Sequence, residues 1–173
     1  GIKRVVYASS SSVYGDHPAL PKLEANIGRP LSPYAATKRI NEIYAGVFQR
    51  AYGLEVIGLR YFNVFGPGQD PGSQYAAVVP RFITEAAAGR PVPIYGDGEQ
   101  RRDFTFIENV VEACLLAASS DGGSGAVLNI ATGLDGPWFL FVAGGMGIPL
   151  LKSYAQLWQA GYSWRDVLNR PPA

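Results

Sequence analysis

Tyr34 and Lys38 are the residues of this sequence whose types and spacing best suit proton and hydride chemistry. On a helix, residues four apart lie on one face, so the phenol and the ammonium can converge on one point. A phenol of pKa about 10 is a poor base at neutral pH, but a nearby cation favours the phenolate and lowers that pKa. Such a tyrosine can take a proton from a substrate hydroxyl while a hydride leaves the same carbon. Without supporting residues, a solvated pair on the helix surface would be the preferred interpretation.

A run of serines, Ser9 to Ser12, ends the first apolar segment of the sequence. Ser10, Ser11 and Ser12 are expected at the carboxyl end of a strand, where open α/β sheets form their ligand crevice. A hydroxyl group there can bind a substrate hydroxyl and share its proton. A plain turn is the alternative interpretation of the serines.

Signals at both ends predict a helix that carries Tyr34 and Lys38. Ser32 is a good N-cap, Pro33 suits the first helical position, and Gly53 suits the position that ends the helix. Apolar residues recur at helical spacing along it and form one face: Ile40, Ile43, Tyr44, Val47, Phe48 and Ala51.

Strands and helices alternate along the rest of the sequence, which predicts an α/β fold with a mostly parallel sheet. A loop is expected from Val13 to about Leu31. The predicted strands are 5–9, 55–62, 93–95, 103–106 and 126–131, and the further helices are 77–88 and 107–119. The last helix is expected to carry one apolar side formed by Val110, Val111, Cys114, Leu115 and Ala118.

Five sequence blocks in order resemble the extended short-chain dehydrogenase/reductase family, specifically its NAD-dependent nucleotide-sugar epimerases. The resemblance covers about residues 1–133 and is greatest to UDP-N-acetylglucosamine and UDP-glucose 4-epimerases. It implies the C-terminal part of a Rossmann-type parallel sheet plus part of a smaller substrate-binding region. The blocks are Ala8–Asp16, Pro30–Lys38, Leu59–Pro67, Ile94–Gly98 and Arg102–Phe104.

The resemblance implies NAD as cofactor, a UDP-sugar as substrate and a role for each matching residue. Ser10, Tyr34 and Lys38 would be catalytic and would also contact NAD, whose site Phe62 would line. Arg102 would pair with the diphosphate, which suits the fork of a guanidinium group. The remaining substrate-binding residues would be Ser11, Asn63, Val78, Pro93, Ile94 and Tyr95. We interpret Asp103 as a buried acid that orients its neighbours.

The implied reaction is oxidation at C4 of the sugar to a 4-keto intermediate, followed by return of hydride to the other face. One alternative is a sugar-nucleotide dehydratase or decarboxylase of the same family. The dehydratases usually carry an acidic pair after the catalytic hydroxyl residue, where this sequence has Ser11 and Ser12. Another alternative is a non-catalytic binding or assembly module on the same fold.

Two departures from the family stand out. The glycine-rich dinucleotide fingerprint is absent, and the first strand matches a middle strand of the family's sheet. We therefore expect an N-terminally truncated fragment that binds NAD poorly on its own. Residues 1–133 form the predicted catalytic and substrate-binding part, and 134–173 form an atypical tail to which no role is assigned.

Composition narrows the functional classes. The formal net charge of +1 provides no electrostatic footprint for nucleic acid or an anionic membrane. The single cysteine, Cys114, and the single histidine, His17, exclude an intrachain disulfide and a cysteine or histidine metal cage. We expect no metal, no membrane segment and a cytoplasmic location, with a homodimer implied by the resemblance.

Overall fold

The computed structural model describes residues 1–70, 72, 78–92, 94, 96–97, 101–132 and 136–137. Two compact units are present, one comprising Gly1–Val64 and Phe104–Gly133 and the other comprising Phe65–Asp103 and Leu134–Ala173. In chain order the elements are β1 (Arg4–Ser10), a 3-10 helix (Ser11–Tyr14), α1 (Pro33–Tyr52), β2 (Glu55–Tyr61), β3 (Asn63–Phe65), α2 (Val78–Ala87), β4 (Arg101–Arg102), β5 (Phe104–Phe106), α3 (Ile107–Ser119), β6 (Val127–Ile130) and β7 (Gly136–Pro137).

A parallel three-stranded sheet in the order β1-β2-β6 organises the first unit. Ser10 pairs with Tyr61, and Tyr61 pairs with Ile130, so the three strands end level with one another. The predicted parallel α/β architecture is therefore confirmed. β2 is the central strand and is buried from Val56 to Arg60, whereas Val5 on β1 is exposed. The short, β-branched sequence of residues 5–9 predicts a buried strand, but within β1 only Ser9 is buried.

Tyr7 and Gly58 pack together where β1 and β2 pair. A Cβ atom placed on Gly58 would lie 2.5 Å from the phenol oxygen of Tyr7 and 2.6 Å from the adjacent ring carbon. The tyrosine ring therefore occupies the space that a side chain at position 58 would need.

Helix α3 begins and ends at the predicted residues, but the predicted apolar side is partly wrong. Val110 and Ala117 are buried, and Cys114 packs with Ala117 against the core residues Ile57 and Leu59. Their spacing of four and three residues forms one stripe along the helix. The adjacent stripe, rotated by about 100° from it, is exposed and comprises Val111, Leu115 and Ala118.

The segment after β1 corrects the prediction of a loop starting at Val13. Residues 11–14 form a 3-10 helix in which Val13 and Tyr14 are buried. Gly15 ends this helix with φ 51°, and a Cβ atom there would lie 1.8 Å from the carbonyl oxygen of Arg29. So short a helix has no periodicity in the sequence, which is why the pattern did not reveal it.

Helix α1 has the predicted ends, but its apolar face does not lie in the core. The Ser32 hydroxyl accepts a hydrogen bond from the Ala35 amide at 3.1 Å, and Gly53 adopts the left-handed conformation that ends the helix. The buried residues of the helix are Ala35 and Glu42. The large apolar side chains are exposed on the described chain: Ile40, Ile43, Tyr44, Val47 and Phe48.

The second unit contains α2 and the antiparallel pair β4-β7. The predicted strand at 93–95 falls largely outside the described residues, and Ile94 has irregular backbone. The extended segment predicted at 103–106 appears as β5, which forms a two-stranded sheet with β3. None of the described helices combines the length and the apolar character that crossing a membrane requires.

Candidate active site

Lys38 lies between Tyr34 and the carboxyl end of β1. Its ammonium nitrogen is 5.7 Å from the centroid of the Tyr34 ring and donates a hydrogen bond to the Ala8 carbonyl at 3.1 Å. The Tyr34 side chain is 48% exposed, so a ligand can reach it. The convergence of phenol and ammonium predicted from their spacing is therefore present in the structure. The Ala8 carbonyl that the ammonium contacts precedes Ser10 by two residues on β1.

The Ser10 hydroxyl oxygen caps the 3-10 helix that follows β1. It accepts hydrogen bonds from the Ser12 amide at 3.2 Å and from the Ser12 hydroxyl at 3.0 Å. A serine hydroxyl has two acceptor lone pairs and one donor hydrogen. Because both lone pairs are engaged, the Ser10 hydroxyl is set to donate its hydrogen to another group. Ser11 is half-buried as the first residue of this short helix.

Phe62 and Asn63 follow the end of β2, beside Ser10. The Phe62 amide donates to the Ile130 carbonyl at 3.2 Å, and its ring lies 6.3 Å from that of Tyr14 between centroids. Since Ser10 pairs with Tyr61, the next residue, Phe62, lies at the same edge of the sheet. Ligand crevices of parallel sheets form at this edge.

The remaining predicted substrate residues belong to the second unit. Val78 is half-buried at the start of α2, and Ile94 is 55% exposed. Arg102 is exposed on β4, and its guanidinium donates to the Arg101 carbonyl at 2.7 Å. Pro93 and Tyr95 lie outside the described residues, and the substrate roles of all these residues stay predictions. Asp103 is buried, as expected.

A buried ion pair between α1 and β2, next to Ser10 and Lys38, was not predicted from the sequence. Glu42 on α1 is 6% exposed and Arg60 on β2 is 2% exposed. The Arg60 guanidinium donates to both carboxylate oxygens, with Nε at 2.8 Å and Nη2 at 3.0 Å. Ser9 Oγ donates to Glu42 at 2.6 Å, and Arg39 donates to it at 3.0 Å. The available signal was a charged residue directly after the apolar residues 56–59 of a predicted strand, because a buried charge requires a partner.

The surroundings of Glu42 keep its carboxyl group ionised. Burial alone would raise its pKa, but hydrogen bonds from Arg60 and Ser9 and the charge of Arg60 outweigh that effect. The pKa of Glu42 therefore lies below its usual value, and the ion pair is present at neutral pH.

The buried pair extends across the sheet through Tyr14. Arg60 Nη1 donates to the Tyr14 hydroxyl at 2.9 Å, and its guanidinium lies 4.9 Å from the centroid of that ring. The Tyr14 hydroxyl donates to Asn129 Oδ1 on β6 at 2.7 Å, and Asn129 Nδ2 donates to the Lys22 carbonyl at 2.8 Å. This connected set of hydrogen bonds joins α1, all three strands and the segment before α1.

Two other phenols near the sheet are unsuited to act as bases. Burial and the negative charge of Glu42 raise the pKa of Tyr7 to about 12. Burial and a hydrogen bond with Cys114 raise the pKa of Tyr61 as well. Each of these two phenols therefore gives up its proton less readily than an ordinary tyrosine does.

Residues 1–131 match the model of the NAD dependent epimerase/dehydratase family. The chain belongs to this family. The predicted family is thereby confirmed, as is the prediction that this family consists of NAD-dependent enzymes. The similarity to solved epimerase structures confirms the Rossmann-type fold.

Similar proteins include 4-epimerases and a dehydratase. The chain is 40% identical over 136 residues to the UDP-glucose 4-epimerase of Mycolicibacterium smegmatis, covering 78% of this chain and 43% of that protein. The structure of UDP-N-acetylglucosamine 4-epimerase from Methanobrevibacter ruminantium M1, in complex with UDP-N-acetylmuramic acid, is 47% identical with a TM-score of 0.74. That match covers 78% of this chain and 43% of the epimerase.

The dehydratase is TunA, an NAD-dependent NDP-hexosamine 5,6-dehydratase involved in tunicamycin biosynthesis. It is 37% identical with a TM-score of 0.70, and the match covers 88% of this chain and 47% of TunA. The chain therefore spans less than half the length of these three relatives.

Proposed function

We propose that the protein catalyses NAD-dependent 4-epimerisation of a UDP-sugar, either UDP-GlcNAc/UDP-GalNAc or UDP-Glc/UDP-Gal. The observation that carries this proposal is the Lys38 ammonium, which lies 5.7 Å from the Tyr34 ring and bonds to the Ala8 carbonyl beside Ser10. The named activities of the epimerase relatives support the choice of reaction and substrate class.

The residues at the edge of the sheet fit the nicotinamide and ribose end of NAD. A half-exposed phenol, an ammonium donor and an aromatic ring, from Tyr34, Lys38 and Phe62, flank the ends of β1 and β2. Bound NAD would supply the acceptor for the hydride that leaves C4 and the donor that returns it. Lys38 would hydrogen-bond the ribose and stabilise the ionised form of Tyr34.

Two hydroxyl groups would move or hold the proton of the sugar 4-hydroxyl. Tyr34 would take that proton as the hydride leaves and would return it when the 4-keto intermediate is reduced. Ser10, with both lone pairs engaged by Ser12, would donate a hydrogen bond to the same sugar oxygen. An acceptor and a donor on one oxygen would together orient C4 of the bound sugar for the reaction.

We assign the UDP-sugar to the other residues of the sequence prediction. Ser11 would contact the sugar, Asn63 would hydrogen-bond near the diphosphate, and Arg102 would pair with the diphosphate oxygens. The uracil would lie against the remaining predicted residues: Val78, Pro93, Ile94 and Tyr95.

Dehydration is the second candidate reaction, favoured by the similarity to TunA. Elimination of water from the sugar needs further acid and base groups beside C5 and C6. Ser11 and Ser12 occupy the positions at which dehydratases usually carry an acidic pair. Serine hydroxyls are much weaker acids and bases than carboxyl groups, so epimerisation is preferred.

Replacing Tyr34 with Phe tests the proposed reaction. The protein encoded by the complete gene is purified and incubated with NAD and each UDP-sugar, and the products are identified by NMR. We expect the 4-epimer from the wild type, and a loss of at least 100-fold in kcat for Tyr34→Phe because the proton acceptor is removed. Tyr52→Phe, at the exposed end of α1, is the matched control and should keep its activity. A 4-keto-6-deoxy product, or an active Tyr34→Phe variant, would contradict the proposal.

We also propose a homodimer that buries the exposed apolar face of α1. Contiguous exposed apolar side chains such as Ile40, Ile43 and Val47 are typical of protein interaction sites. Ile43→Glu places a charge within this face, so we expect the sedimentation coefficient to fall from the dimer to the monomer value. A sedimentation coefficient that is the same for both proteins would contradict the proposed interface.

A further inference from the structure

Glu42 is a buried carboxylate on α1 that the proposed reaction does not use. It follows Lys38 by four residues and Tyr34 by eight, so all three lie along one side of the helix. Taking a carboxylate out of water is costly unless hydrogen bonds and opposite charges compensate for it. The compensation that Glu42 receives comes largely from strands and not from its own helix.

Three of the four hydrogen bonds to the Glu42 carboxylate connect α1 to the ends of β1 and β2. Ser9 on β1 donates at 2.6 Å, and Arg60 on β2 donates through Nε at 2.8 Å and Nη2 at 3.0 Å. The fourth comes from Arg39, which belongs to α1 itself. The carboxylate therefore joins three separate elements at one point.

The contacts of Glu42 lie next to the candidate catalytic residues in the sequence of each element. On β1, Ala8 accepts from Lys38 and Ser9 donates to Glu42, directly before Ser10. On β2, Arg60 precedes Phe62 by two residues. Two successive turns of α1 are thus fixed to two successive residues of β1.

We infer that Glu42 is a positioning residue, which holds α1 in register with β1 and β2 and so keeps Tyr34 and Lys38 aligned with Ser10. This inference rests on the proposed function. Hydrogen bonds suit the task better than apolar contacts because they fix both distance and direction, and the guanidinium fork does so at two atoms. A misplacement of about 1 Å in a catalytic group can cost about 100-fold in rate.

The second side of Arg60 is fixed as well. Its Nη1 atom donates to the Tyr14 hydroxyl and to the Glu24 carbonyl, at 2.9 and 3.0 Å. Tyr14 in turn donates to Asn129 on β6. The guanidinium group that binds Glu42 is therefore itself oriented by hydrogen bonds to Tyr14 and Glu24.

Three variants separate positioning from general stabilisation. Ser9→Ala removes one link between α1 and β1, Glu42→Gln removes the charge at nearly unchanged shape, and Arg39→Gln removes a bond that lies within the helix. We expect kcat to fall at least tenfold in Ser9→Ala and further in Glu42→Gln, with KM changed less than twofold. Arg39→Gln should retain kcat within twofold. All rates are measured well below the melting temperature of the least stable variant.

Amide hydrogen exchange across residues 35–42 provides a readout that does not depend on turnover. We expect exchange at least tenfold faster in Ser9→Ala and Glu42→Gln than in the wild type, and unchanged exchange in Arg39→Gln. Loss of melting temperature without change in kcat or exchange in the first two variants would overturn the inference, and so would equal effects of all three. If the wild type converts no UDP-sugar, the proposed function fails, and the exchange rates alone decide on the positioning role.

Discussion

At the scale of single residues, the Ser12 side chain determines how the Ser10 hydroxyl is presented to a ligand. Its hydroxyl and amide both donate to Ser10 Oγ. Both acceptor positions of the Ser10 hydroxyl are therefore engaged, which leaves its hydrogen for donation. A donor is the form that the proposed reaction needs at the sugar 4-oxygen, because Tyr34 would accept there.

Ser12→Ala should lower kcat by about fivefold, because one hydrogen bond of about 1 kcal/mol no longer orients Ser10. KM should change little, since the substrate-binding residues are retained. Steady-state kinetics on the epimerisation of the preferred UDP-sugar measures both constants. Ser12→Thr, which keeps a hydroxyl group, is the control and should be active. A Ser12→Ala protein with the wild-type kcat would show that Ser10 needs no such orientation.

The sequence allowed the candidate catalytic residues to be named, but not the buried ion pair that holds their elements together. Tyr34, Lys38 and Ser10 stand in recognisable local patterns, and the structure brings the Lys38 ammonium to the Tyr34 ring and to the Ala8 carbonyl. Glu42 and Arg60 are 18 residues apart and pair only through the packing of α1 on β2. No local pattern records such a contact. The charge of Arg60 in a buried strand indicated that a partner exists, but not which one.

At the scale of secondary structure elements, the ends of α1 depend on local chemistry that the sequence states directly. Ser32 caps the first turn, and Gly53 ends the last turn with φ 66°. The orientation of the helix depends on distant residues, which explains why the apolar face is exposed and Glu42 is buried. The 3-10 helix at 11–14 escaped prediction for a different reason, since four residues are too few to show a period.

Ser32→Ala should destabilise the protein by about 1 kcal/mol, because the Ala35 amide loses its acceptor at the start of α1. Chemical denaturation followed by circular dichroism measures the change in unfolding free energy. Ser32→Asp keeps an acceptor at the same position and should show little loss. Equal destabilisation by both substitutions would contradict the capping role.

At the scale of the whole molecule, the Glu42–Arg60 pair makes the free energy of unfolding depend on pH. The folded protein holds the pKa of Glu42 below its ordinary value near 4.5. The stabilisation is therefore fully present above the pKa of the unfolded chain, and it is lost as the pH falls through the lower folded value. This ion pair joins α1 to the sheet, so protonation of the Glu42 carboxylate lowers the stability of the first unit as a whole.

Glu42→Gln should flatten the loss of stability on acidification. Between pH 5 and 3 the unfolding free energy of the wild type should fall more steeply than that of Glu42→Gln, which has no carboxyl group to protonate at this position. Urea denaturation at several pH values measures both slopes. Glu108→Gln, on the exposed side of α3, is the matched control and should keep the wild-type slope. Parallel slopes for wild type and Glu42→Gln would contradict the prediction.

The contact of Tyr7 with Gly58 has a consequence for the evolution of this sheet. The tyrosine ring occupies the volume that a side chain at position 58 would need, so the two positions cannot both carry large side chains in this packing. Among homologous sequences, a larger residue at position 58 should therefore occur together with a smaller residue at position 7. An alignment in which the two positions covary in size would support this steric dependence. An alignment in which both positions carry large residues would contradict it.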